Sequence, residues 1–170
     1  MNGLNLLDQY RGQKNVVNSG NFKLGETGYV LDRTRSGENE YLNSGNLIEV
    51  QIVKANQIIT TPAGLQLSYT IASPGMLVEA ITGSAEIGDG ICDPDLSGSL
   101  AVGDTFLLFR KGRMNIVASD AISAGARLKS AAAGKFVTAT EMAPTSRGRL
   151  AVAATADGQI RLANMDFTIP

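Results

Sequence analysis

The sequence has no histidine, no tryptophan and a single cysteine among its 170 residues. Each absence excludes a chemistry. Without His, the commonest general base and metal ligand is missing, and a Cys–His nucleophilic pair cannot be built. One Cys gives no internal disulfide framework. Aromatic residues make up only 5%, so a core has to be assembled from Val, Ile, Leu and Ala. Charged side chains are also sparse, at 18% against about 25% in an ordinary soluble domain. No stretch approaches the ~18 unbroken apolar residues of a membrane span. The opening Met1-Asn2-Gly3-Leu4-Asn5-Leu6-Leu7-Asp8 lacks the basic and apolar regions of a signal peptide. The expectation is a soluble, unprocessed chain that needs no membrane.

What is present points to β-structure. Glycine is plentiful, at 19 residues, and the mean hydropathy of +0.03 is too high for a disordered polar chain. The mass of 17.8 kDa suits one domain or one domain with an appendage. The net charge is -1, but it is unevenly spread. Residues 1–104 carry 6 basic and 12 acidic side chains, whereas residues 105–170 carry 9 basic and 4 acidic. The molecule is polar if these halves occupy different faces, and balanced if folding interleaves them. Near-neutrality overall gives no general reason to expect nucleic acid as a partner.

Residues 1–28 show no sustained periodicity beyond the helical spacing of Leu4, Leu7 and Tyr10, and read as an N-terminal arm or an irregular edge. From Tyr29 the pattern becomes alternating. Ile48, Val50 and Ile52 oppose Glu49 and Gln51, and Leu65, Leu67, Tyr69 and Ile71 oppose Gln66, Ser68 and Thr70, the pattern of half-buried strands. With Tyr29–Asp32, Gln57–Thr61 and Met76–Ile81, these predict a β-meander. Further on, Asp104–Arg110 and Arg113–Ala118 flank Lys111-Gly112 and read as a hairpin. Short runs at 127–130, 135–140, 149–154 and 159–162 are punctuated by Gly125, Gly134, Gly148 and Gly158. The fold class is all-β, a small barrel or sandwich of short strands over residues 29–170, with a possible division near 75–100.

Candidate chemistry is thin. Asp93-Pro94-Asp95-Leu96-Ser97-Gly98 has oxygens at positions 1, 3 and 5 and Gly at 6 of a calcium loop, with Asp104 at position 12. Flanking helices are missing and Asp104 is one methylene short, so the segment reads as an acidic surface turn. Glu79, Glu86, Asp89, Asp93 and Asp95 are close in sequence, but nothing local sets the 5–10 Å carboxylate pair a glycosidase needs. Cys92 lies beside acids that disfavour a thiolate and reads as a small buried residue. There is no Gly-x-Ser-x-Gly elbow, phosphate loop or dinucleotide fingerprint. No cofactor, no metal and no enzymatic activity are expected. Arg110, Lys111 and Arg113 form the densest basic cluster. It reads as a solvated turn, as a grip on a partner's carboxylates or, with Phe106 and Phe109 as stacking platforms, as a single-strand contact.

The last 70 residues resemble the small phage head decoration, or capsid cement, proteins. The resemblance lies in Gly103-Asp104-Thr105-Phe106 with Lys111-Gly112, then Ala121-Ile122-Ser123-Ala124-Gly125-Ala126-Arg127-Leu128 and Gly134-Lys135-Phe136-Val137-Thr138-Ala139-Thr140. It continues through Gly148-x-Leu150-Ala151-x-Ala153-Ala154 and Asp157-Gly158-x-Ile160-Arg161-Leu162; residues 1–75 do not share it. The resemblance implies a non-enzymatic homotrimer on the capsid exterior, soluble in the host cytoplasm before assembly, that binds major capsid protein and clamps neighbouring subunits. On that model Tyr10, Arg11, Phe22, Arg33 and Arg35 are contact candidates as aromatic and Arg anchors, alongside Arg110, Lys111 and Arg113. The alternatives are a tail, baseplate or fibre module, and a glycan- or calcium-dependent binding module.

Overall fold

The computed structural model describes residues 5–19, 22–33, 47–71, 76–80, 88–140 and 146–168. The fold is all-β, as the alternation predicts. Ten strands form one sheet: β1 (Thr27–Leu31), β2 (Leu47–Ala55), β3 (Gln66–Ile71), β4 (Met76–Ala80), β5 (Gly90–Cys92), β6 (Thr105–Val117), β7 (Arg127–Ser130), β8 (Phe136–Thr138), β9 (Gly148–Leu150) and β10 (Ile160–Asp166). Their order is β1-β2-β4-β3-β5-β6-β10-β9-β7-β8, with β2 also paired to β6. Among the described residues the outer strands β1 and β8 do not pair, so the ten-stranded set is a folded sheet and not a closed barrel. The β2–β6 pairing turns its first part back on itself.

The strand positions follow the alternation, and β1–β2 and β3–β4 pair antiparallel as a meander predicts, but β2 next meets β4 and β6 and not β3. β2 pairs antiparallel with β1, parallel with β4 and antiparallel with β6. Residues Gln57–Thr61 supply only an isolated bridge, Ile59 to Leu100. Thr61 takes a positive φ of 47° just before Pro62, which ends the extended run.

The predicted hairpin at Lys111-Gly112 is instead the middle of the thirteen-residue β6. Glu49 faces Lys111 while the next β2 residue, Val50, faces Phe109, so Arg110 is an extra residue in the ladder. This β-bulge resolves a conflict in the sequence. Phe109 must share a face with Val50, and Met114 and Ile116 must enter the same core, yet odd and even positions alternate between faces. The extra residue changes the phase, sending Lys111 and Arg113 outward. Gly112 follows at φ +135°, where a Cβ would come within 3.1 Å of Ile48 Cα.

β2 and the first half of β6 carry core on both faces. Val53, Phe106, Leu108, Leu67 and Cys92 fill the folded-back part. Val50, Ile52, Leu107 and Phe109 point the other way and join Leu7, Val16 and Val30 with Met114, Leu128, Phe136, Leu150 and Met165. All four residues of the Phe106-Leu107-Leu108-Phe109 run are therefore buried, where an alternating strand would bury two.

Candidate interaction surface

The N-terminal segment is packed onto the sheet. Leu7 is buried, and its N–H donates to the Tyr29 carbonyl at 2.7 Å while the Tyr29 N–H donates to the Asn5 carbonyl at 2.8 Å. Gly28 makes this approach possible, since a Cβ there would lie 2.6 Å from the Leu7 side chain. A short helix, α1 (Val16–Ser19), follows. Tyr10 meets Phe22 edge-to-face at 5.1 Å, and both are half-buried against the larger core.

Arg11 is turned inward. Its side chain is only 9% exposed; Nε lies 2.8 Å from Asp95 Oδ2 and Nη1 donates to the Leu31 carbonyl at 2.8 Å. Its guanidinium stands 5.5 Å from the centre of the Phe109 ring. Asp93, read as part of an acidic surface turn, is fully buried. Its carboxylate accepts the N–H groups of Gly12 at 2.6 Å and Asp95 at 2.9 Å. Burial pushes its carboxyl above the usual value, opposed by those two hydrogen bonds. Asp93 thus ties residue 12 to the β5–β6 connection and is committed to backbone donors. Among the described residues no cluster of three metal-ligating side chains occurs. Cys92 is a free, buried thiol whose pKa burial pushes well up.

Arg33 remains 57% exposed and pairs with Asp8 at 2.7 Å. Arg35 and Glu86 lie outside the described residues. Arg110, at the bulge, donates to the Phe167 carbonyl at 3.4 Å and stands 6.0 Å from the Tyr69 ring. Burial raises the Tyr69 hydroxyl pKa to about 12, and that hydroxyl donates to Gln51.

Lys111 and Arg113 enter a larger arrangement that the sequence reading missed. In the second half of the sheet one face is core: Met114, Leu128, Leu150, Ala163 and Met165 are all buried. The opposite face is basic. The registers place Lys111 opposite Asp166, which also adjoins Arg147 through a backbone bond. The next row runs Arg113, Asn164, Arg149, Arg127 across β6, β10, β9 and β7. The first row balances its signs, with Glu49 and Asp166 flanking Lys111. Lys111 Nζ lies 2.9 Å from Asp166 Oδ2. Burial alone pushes the Asp166 carboxyl up, but bonds from Thr168 and Lys111 outweigh it and hold it low. Among the described residues the second row contains three arginines and no carboxylate. Arg127, Arg149 and Asn164 are exposed and Arg113 is partly exposed. The alternation of Arg127 with Lys129 and of Arg147 with Arg149 was the available signal; which strands stand side by side was not.

No protein-family model matches the chain, and no curated protein does either. The solved structures do supply a likeness. The crystal structure of the head fiber gp8.5 N base in bacteriophage phi29 superposes with a TM-score of 0.54 at 15% identity, covering 71% of this chain and 95% of that one. The likeness is one of fold. It joins this all-β architecture to that of a phage head component, with almost the whole of that chain represented here.

Proposed function

We propose that this chain is a non-enzymatic structural component of a phage virion, carried on the outside of the head, where it binds major capsid protein and strengthens contacts between neighbouring subunits as a trimer. The observation that carries the reading is the fold shared with a phage head fiber base over nearly all of that chain. Two further features support it. The candidate chemical groups, Asp93 and Cys92, are buried and committed to packing or backbone bonds, and the basic sheet face offers a broad surface in place of a cleft. Repetition at equivalent sites multiplies modest contacts into firm attachment.

The same likeness favours one second reading, a base from which a longer fiber projects. Counting copies in purified particles of the parent phage, and heating particles with and without the protein, tests the proposal. Hundreds of copies, and earlier rupture of bare heads, are expected. Absence from the particle overturns both readings; a few dozen copies or fewer with unchanged head stability overturns the cement role and leaves the fiber base.

A further inference from the structure

We infer that the arginine row on the outer face of β6, β10, β9 and β7 is a docking surface for a carboxylate-rich protein surface. The inference names the partner chemistry of the attachment proposed above and rests on that reading for its biological setting.

The register is the first argument. Arg127 stands directly opposite Arg149, and Asn164 separates Arg149 from Arg113. Neighbouring strands lie about 4.8 Å apart, so three guanidinium-bearing positions occupy roughly 15 Å in a straight line. Like charges directly opposite one another destabilise a sheet, and the adjoining row avoids this by alternating Glu49, Lys111 and Asp166. The arginine row has no such alternation. Lys129, two positions along β7, and Arg147, immediately before β9, increase the charge beside it. Of the acids on this face among the described residues, Glu49 stands opposite Lys111, and Asp166 is held by Lys111 and by the Thr168 N–H and hydroxyl.

Side-chain type is the second. Arginine presents a planar fork that matches a carboxylate bidentately, and a rigid sheet fixes the spacing of the three forks. Arg149 is further oriented by donating from Nη1 to the Gly125 carbonyl at 2.9 Å. The row and its flanking cations include no aromatic residue, so the stacking platforms of a single-strand nucleic acid site are missing from them. The contribution of Arg127 and Arg147 is their charge and position; each also has an interaction of its own within the chain.

The free protein can be tested with a fluorescently labelled dodecaglutamate peptide, by anisotropy at low and moderate salt. Binding should weaken roughly tenfold in the double variant Arg127→Gln/Arg149→Gln and fall steeply as salt rises, while Lys23→Gln, at an exposed cation elsewhere, binds as wild type. If loss of the Arg149 bond to Gly125 unfolds that variant, Arg127→Gln/Lys129→Gln should show the same weakening. Unchanged affinity in the folded variants overturns the inference, as does failure of wild type to bind the peptide. Tighter binding of a thirty-nucleotide single strand or of phosphatidylserine vesicles, lost in the same variants, also overturns it and reassigns the face to nucleic acid or lipid. Particle copy number bears on the virion reading alone, so the two fail separately.

Discussion

Replacing Arg11 by Ala isolates what holds the N-terminal segment to the sheet. Four interactions vanish together: the bond to the Leu31 carbonyl, the ion pair with Asp95, the approach to the Phe109 ring and a long contact with Asp8 at 3.9 Å that adds little. A hydrogen bond from a charged donor contributes about 1.5–3 kcal/mol. Asp95 is 42% exposed, which limits the ion pair to roughly 0.5 kcal/mol. The ring contact adds about 0.5–1 kcal/mol. Relief of the guanidinium's desolvation offsets part of this, leaving a loss of about 2–3 kcal/mol. For a chain of this size each kcal/mol lowers the melting temperature by about 2–4 °C, so a fall of roughly 4–12 °C is expected by circular dichroism. If the segment opens locally, limited proteolysis should instead cut it before the core melts, and the amides of Leu7 and Tyr29, which bond across to it, should exchange faster. An unchanged melting temperature with unchanged protection at Leu7 and Tyr29 would refute the assignment of Arg11 as a clamp.

Other outcomes follow from the same structure. Gly112→Val should lower the melting temperature by several degrees, because a β-branched residue at φ +135° is strained and its Cβ meets Ile48; an unaltered melt counts against the bulge. Cys92 should resist a thiol reagent at pH 8 until the protein is unfolded, being fully buried with a raised pKa; rapid labelling of the native protein contradicts this. Asp93 has a folded-state pKa above its unfolded one, so its favourable linkage is present below about pH 3.8 and is lost as pH rises through the folded value. Denaturant titrations should therefore show wild type losing stability relative to Asp93→Asn as pH is raised from 3 to 7; a constant difference rejects that sign. Removing the exposed Lys111–Asp166 pair by Lys111→Ala should leave the melting temperature nearly unchanged, because solvent screens both charges, and a clear fall would show that the pair does more than balance its row.

The strands were legible where one face is wet. Ile48, Val50 and Ile52 alternate with Glu49 and Gln51, and β2 lies where that pattern puts it. β5 has no such signature, since Gly90-Ile91-Cys92 is short and wholly buried, leaving no polar residues to set a period. Pairing order was also hidden: nothing local in Leu77 and Val78 declares that they will lie parallel to Lys54 and Ala55. Among the contact candidates, residue type suggested Arg11 as an outward anchor, but an inward path and a carboxylate at Asp95 turned it to another use. Lys111 and Arg113 stand out in the sequence as a local cluster. Their companions Arg127 and Arg149 are distant in sequence, and only the ladder through Asn164 brings them into line.

The bulge at Arg110 also sets the polarity of the sheet beyond it. One unmatched residue in one strand determines which side of the second half-sheet is dry and which is wet. A lineage that lost it would not merely weaken the fold: it would turn the molecule inside out along that strand, presenting methionine and isoleucine to its surroundings and hiding its cations. The charge of the surface and the packing of the core are thus inherited together at a single position.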